Sequence, residues 1–251
     1  METPKLNDFL LLLEVFHLGL SKGIIQKDEV IQWADDIITN TDEPDYLFIE
    51  ISLGNNANHL IEIINEYVTP SNDPICYRVL LALIYHRYPI FNFEEAEKVA
   101  TTVGNLSSWN TLTSFENNTI YVFEDYVMYY LPNENQLQEE LINFLSLYEA
   151  FTLENHEQWA DINLQVLELL KAEEIKVNRV NESNRKKWTR KARKENLKQF
   201  AIKLTVFLIV GLFVIVLVFK DGGNGNFPTY YFLLIYFIAR MGYSWWRRKA
   251  E

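Results

Sequence analysis

Apolar positions along this chain fall into two regimes. Over residues 1–180 they recur three and four apart, the spacing that gathers side chains on one face of an α-helix. Over residues 200–246 they are almost continuous. In the first regime, residues 5–21 place Leu6, Phe9, Leu10, Leu13, Phe16, His17 and Leu20 on one side, and Gly23 closes the helix. Residues 27–40 do the same with Val30, Trp33, Ala34, Ile37 and Ile38, and Asp28 and Glu29 sit in the first turn, where negative charge suits the helix dipole. Asp42-Glu43-Pro44 reads as a helix start, and 46–53 follows as a short apolar helix, although Phe48, Ile49 and Ile51 would also suit a strand. Leu60, Ile63, Ile64 and Tyr67 make 57–68 amphipathic. Asp73-Pro74 predicts an N-cap with proline at the first helical position, and that helix ends before Pro89. Asn92 and Glu95 have capping-box spacing, with Gly104 closing the helix they open. Residues 109–131 admit two readings: a helix, or a break at Asn117-Asn118 with 119–123 as one arm of a hairpin. Leu137, Leu141, Phe144, Leu145 and Tyr148 mark a helix over 134–151, and a last one starts near Asn155 and is expected to run through Val180 toward the membrane. The expected fold is all-α, an acidic helical bundle or irregular stack of about eight helices. One tetrapeptide, Gln32-Trp33-Ala34-Asp35, recurs at Gln158-Trp159-Ala160-Asp161; a shared packing role for tryptophan, chance or a faint trace of duplication explains it better than a repeat architecture.

The second regime predicts a two-helix transmembrane hairpin, 200–220 and 227–246, joined by a turn at 221–226. Residues 204–219 carry no charge, and extending the segment back to Phe200 adds only Lys203. About 20 helical residues at about 1.5 Å each span about 30 Å, the hydrocarbon thickness of a bilayer. The glycine-rich turn would leave backbone groups unpaired in lipid, so it belongs outside. A hairpin buried in a soluble core would need other apolar surfaces to cover two helices that are apolar all round. Arg185, Lys186, Lys187, Arg190, Lys191, Arg193, Lys194 and Lys198 precede the first span, and Arg247, Arg248 and Lys249 follow the second. Basic flanks around a near-neutral turn predict an integral inner-membrane protein with both termini cytoplasmic. Lys203 and Arg240 lie toward the cytoplasmic ends and snorkel to the headgroups. The expected organisation is a cytoplasmic helical domain at 1–180, a basic juxtamembrane linker at 181–199, the hairpin at 200–246 and a basic tail at 247–251.

Charge sharpens this division. Residues 1–184 hold 9 Lys and Arg against 31 Asp and Glu, and residues 185–251 hold 14 against 3, so a net of −22 faces a net of +11 within a total of −11. An acidic domain of that strength is repelled by nucleic acid and by anionic lipid. The basic run is drawn to an anionic leaflet, by about 1 kcal/mol per residue near the surface; a nucleic-acid patch is the sharper alternative for that run alone. The single cysteine, Cys76, rules out a disulfide within the chain and fits a reducing cytoplasm.

Catalytic patterns are not found. His17, His59, His86 and His156 are scattered, with no HExxH or other metal spacing, and GxSxG, P-loop and strand-borne GxGxxG motifs are missing. The expectation is a non-enzymatic protein without cofactor or metal, in which Cys76 is a small buried residue and not a nucleophile. Acidic neighbours such as Asp35-Asp36 and Glu94-Glu95 point about 100° apart on a helix and read as solvated faces. The densest acidic cluster, Asp42, Glu43, Asp45 and Glu50, is a candidate docking patch for a basic protein, against the plainer reading of a capped helix start. Tyr121, Phe123, Tyr126, Tyr129 and Tyr130 would serve as anchors beside an acidic rim where exposed, and as core where not.

The wording of residues 25–53 adds a resemblance. Lys27-Asp28-Glu29-Val30, Trp33-Ala34-Asp35, Asp42-Glu43-Pro44 and Ile49-Glu50-Ile51-Ser52-Leu53 resemble small bacterial all-helical proteins that act as immunity or accessory proteins of antibacterial toxins. The resemblance implies a protein-binding role and carries over no individual binding residue; the membrane hairpin departs from the soluble form it implies. The leading expectation is a membrane-anchored, non-enzymatic helical protein-binding module of immunity type. The alternative is a membrane effector whose helical domain senses or oligomerises while the hairpin perturbs the bilayer, although Gly211 alone in the first span gives no glycine-spaced contact motif. An anchored enzyme is a third class, which no motif supports.

Overall fold

The computed structural model describes residues 6–69, 71–106, 111–129 and 134–220, together with Tyr236 and Arg240. Among these residues every regular element is helical. A 3₁₀ turn at Leu6–Phe9 leads into α1 (Leu10–Ser21), α2 (Lys27–Thr39), α3 (Tyr46–Ser52), α4 (Ala57–Tyr67), α5 (Pro74–Arg87), α6 (Phe93–Gly104), α7 (Ser114–Tyr129) and α8 (Glu134–Leu145). Two more 3₁₀ turns, Ser146–Tyr148 and His156–Gln158, precede α9 (Trp159–Lys220). Both segments that admitted a strand are helix, 46–53 as α3 and 119–123 inside α7. The chain divides into two compact units, Met1–Val180 and Asn181–Glu251.

Local chemistry sets the boundaries of the first unit. The side chains of Asp45, Asn56, Asp73 and Asn92 accept from the backbone N–H of Leu47, His59, Ile75 and Glu95 at 2.8–3.1 Å, answering the orphan donors of α3 to α6. Glu95 accepts from the Phe91 N–H at 2.8 Å, one residue ahead of the N-cap, so the capping box expected from the spacing is only half formed. Helix α1 ends in a Schellman motif: Gly23 at φ +70°, its N–H on the Leu20 carbonyl at 3.2 Å, and the Ile24 N–H on the Gly19 carbonyl at 2.9 Å. Gly104 acts differently from a left-handed closer. It is the last residue of α6, and a Cβ there would come within 2.7 Å of the Glu124 carboxylate, so its bareness makes room for that side chain of α7.

Helix α5 is the axis of the unit, buried from Cys76 through Ile84 apart from Tyr77. It packs on α1, α6 and α8, while α2 covers α3, α4 lies on α1 and α3, and α6 holds α7 and α8. The start of α9 closes the core with Trp159, Ile162, Val166 and Leu170 at helical spacing. The two tryptophans of the repeated tetrapeptide are joined through aromatic contacts: Trp33 to Phe9 at 5.4 Å, Phe9 to His156 at 5.6 Å, and His156 to Trp159 at 6.3 Å between ring centres.

In the second unit the residues expected as a basic linker, 181–199, are helical and lie within α9. Between Trp159 and Lys220 there is no proline and one glycine, Gly211, and the basic stretch is built mostly of good helix formers with a Lys186–Glu182 ion pair at 2.6 Å, four residues apart. Among the described residues one helix, His156–Phe213, is long and apolar enough to cross a membrane, and none of its most apolar window is buried. The two-helix hairpin expected at 200–246 is therefore not what the described residues form: they hold one long helix, continuous from the acidic unit into the apolar stretch. The turn at 221–226 and, apart from Tyr236 and Arg240, the second arm at 227–246 lie outside the described residues, as do Arg247, Arg248 and Lys249.

Candidate partner-binding face

Helix α3 is seven residues long and two-faced. Its inner residues Leu47, Phe48 and Ile51 are completely buried, and the Ser52 hydroxyl donates to Asp35 on α2. Its outer residues are Tyr46, 65 % exposed, and Ile49, 38 % exposed, with Leu53 just past its end at 70 %. Positions i, i+3 and i+7 lie within about 60° of one another on a helix, so these three make one apolar ridge.

The four acidic residues expected here divide into two pairs. Asp42 and Glu43 stand exposed before α3. Asp45 is exposed too, but its carboxylate caps the helix on Leu47. Glu50 is half-buried and accepts the Tyr67 hydroxyl at 2.7 Å. That hydrogen bond, then burial, then the charges of Glu50, Asp45 and Glu66 push the Tyr67 phenol up to about 12. The structure therefore brings Asp45, Glu50 and Glu66 around Tyr67 and leaves Asp42 and Glu43 facing outward. Residues 28–77 contain eleven Asp and Glu and neither Lys nor Arg. The apolar ridge escaped the sequence reading because α3 is apolar nearly all round and no periodicity marks its outer side.

The aromatic set of α7 also divides. Phe123 is core, edge-on to Phe144 at 5.6 Å. Tyr126 is half-buried, accepts from Gln136 at 2.9 Å, and has its phenol raised by burial and then by Glu140. Tyr121 and Tyr129 are exposed, with Val122 and Met128 beside them on the helix surface. Tyr130 lies outside the described residues.

Two buried polar groups were not anticipated. Arg78 on α5 reaches Glu116 on α7 through Nε and Nη2, both at 2.9 Å, and Asn163 on α9 through Nη1 at 2.6 Å. Tyr148 donates to the same carboxylate at 3.1 Å and the Thr113 N–H at 2.8 Å. Burial opposes the charge on Glu116, but the Arg78 hydrogen bonds and charge, with Thr113, outweigh it and hold the carboxyl below its usual range. Tyr148 is raised by burial and then by Glu116, so its proton is held fast. The only sequence signal for this node was one arginine in an otherwise apolar helix. The second group is Glu14, which accepts from the Ser71 N–H at 2.8 Å, the Ser71 hydroxyl at 2.7 Å and the Asn72 N–H at 3.1 Å, beside a cavity of about 320 Å³ lined by Leu10, Leu11, Tyr67, Val68 and Thr69. It pins a turn in which Asn72 takes φ 55°. Cys76 lies nearby, 1 % exposed, its thiol pushed up by burial and then by Glu14.

Among the described residues no group of three His, Cys, Asp or Glu is placed to hold a metal ion. His86 instead bonds the Glu149 carbonyl at 2.9 Å, and His59 accepts from the Asn55 N–H at 3.4 Å. On α9, Arg185, Lys186, Lys187, Arg190, Lys191, Arg193, Lys194 and Lys198 are all exposed, with Lys191 over the Trp188 ring at 5.5 Å. No family model, no curated protein and no solved structure matches the chain.

Proposed function

We propose that the chain is a membrane-anchored, non-enzymatic helical module that binds a basic protein, with the toxin-immunity role implied by residues 25–53 as its most specific form. The observation that carries the reading is the far part of α9, whose large apolar side chains from Phe200 to Phe213, Phe207 aside, are about half exposed or more on every side. An α-helix apolar all round is stable only when something apolar covers it, and a bilayer does so without requiring a protein partner. Basic residues before position 200 and after position 246 favour both termini in the cytoplasm. The acidic unit needs no cofactor for this task. Opposite charge speeds its encounter with a basic partner and rejects acidic ones, and tethering concentrates it at the inner face of the membrane.

Fractionation tests the anchor. The full chain sediments with membranes, resists high salt and alkaline carbonate, and is released by detergent. A chain that stays in the supernatant without detergent, or a reporter at Glu251 that reads as external, overturns the reading.

A further inference from the structure

The geometry points to the outer face of α3 as the surface that takes the partner, and to a basic amphipathic helix as what the partner presents; this deepens the binding-module reading and rests on it. Tyr46, Ile49 and Leu53 form a ridge about 10 Å long, given about 1.5 Å per residue. Large apolar side chains left this exposed on an ordered helix mark interaction surfaces when acidic or other polar groups rim them. The ridge is held rigid from behind: Leu47, Phe48 and Ile51 are fully buried, Asp45 caps the helix, Ser52 is tied to Asp35, and Glu50 to Tyr67. A preformed face loses little conformational freedom on binding, which favours tight association over a small area.

Charge decides the occupant. With eleven acidic residues and no Lys or Arg across residues 28–77, an acidic or neutral apolar helix gains nothing at the rim or is repelled. Asp42 and Glu43 are exposed and make no ion pair among the described residues, so they are available to a partner's cations. A helix with an apolar stripe between rows of Lys and Arg satisfies both parts: its stripe covers the ridge, and its cations meet the carboxylates beside it. The surface of α7 around Tyr121, Met128 and Tyr129 is the competing site.

The test uses the full chain in nanodiscs of zwitterionic lipid. The probe is a fluorescent synthetic amphipathic helix with a leucine stripe flanked by Lys and Arg, and its control replaces every cation by Glu. Anisotropy should show the basic peptide binding and the acidic one not. Tyr46→Ser with Leu53→Ser, which leaves charge unchanged, should weaken binding about tenfold or more. Asp42→Asn with Glu43→Gln should weaken it severalfold and flatten its salt dependence, while Met128→Ser with Tyr129→Ser should stay within about twofold. Circular dichroism melts establish that each variant is folded. Equal binding of the two peptides, binding indifferent to both α3 pairs, or loss confined to the α7 pair overturns the assignment. Binding to the nanodisc-held chain is read independently of where the cell places it, so failure here and failure of the fractionation are separate results.

Discussion

Arg78 and Glu116 face each other as a two-pronged ion pair sealed from solvent, 2 % and 0 % exposed, with both N···O distances at 2.9 Å. The two residues belong to α5 and α7, and the remaining hydrogen bonds go to Asn163 on α9, Tyr148 and the Thr113 N–H, so one node ties together the axis of the unit, a peripheral helix and the start of the long helix. Such a pair is a poor source of net stability compared with apolar replacements, but once present it cannot be halved cheaply, since the survivor is a buried unpaired charge.

Replacing Arg78 by Met, or Glu116 by Gln, should therefore destabilise the chain by about 3–5 kcal/mol. The double variant should lose clearly less than the sum of the two. Urea unfolding in detergent, followed by tryptophan fluorescence, measures all three, and additive losses would contradict the node.

The same node sets an acid limit. The folded pKa of Glu116 lies below its unfolded value of about 4.3, so its contribution is complete above that value and is lost as pH falls through the lower, folded one. The stability gap between the parent and Glu116→Gln should be flat from neutral pH down to about 5 and shrink only in stronger acid. Melts across that range check it, and a gap that closes near neutrality would be the wrong sign.

Asn72 holds φ 55°, a left-handed conformation that glycine adopts freely and β-branched residues avoid. Asn72→Gly should leave the melting temperature nearly unchanged, whereas Asn72→Val should cost about 1–3 kcal/mol. Its N–H still reaches Glu14 in both variants, so the difference isolates the backbone.

Glu50→Gln removes the carboxylate that keeps the Tyr67 proton in place. The Tyr67 phenol should then titrate below its value of about 12, moving toward the ordinary 10, which NMR of labelled tyrosine resolves residue by residue. An unchanged titration would mean that Glu50 does not govern the site beside α3.

Under the membrane reading, Ile209→Arg places a charge deep in the span, where insertion scales assign about 2.5–3.5 kcal/mol. The detergent-released fraction should fall relative to the parent, while Lys203→Arg, near the headgroups, should not change it.

Where the signal was local, the sequence was readable. Asp73, Asn92 and Gly23 each act through neighbours two or three residues away, and each does in the structure what its type and position predict, although Glu95 reaches the Phe91 N–H instead of closing a box on Asn92. Asn117, which looked like a breaker, is accommodated because its Nδ2 donates back to the Leu112 carbonyl at 3.0 Å, so α7 continues. Long-range pairing was not readable: 38 positions separate Arg78 from Glu116 and 57 separate Glu14 from Ser71, and no spacing rule connects either pair. The continuity of α9 follows from what residues 181–199 lack, a proline or glycine, a negative signal easily passed over beside so much positive charge. Of the candidate face, the acids were visible, but the work already done by Asp45 and Glu50 and the outward turn of Tyr46, Ile49 and Leu53 depended on how α3 lies on α2 and α4.

Cys76 gives the chain its own stopwatch. Its sulfur faces the Leu11 carbonyl of α1 at 3.9 Å, and no other thiol competes for a reagent. A sulfhydryl probe added to the native protein can react only when α5 parts from α1, so the pace of labelling reports how often the centre of the helical unit breathes.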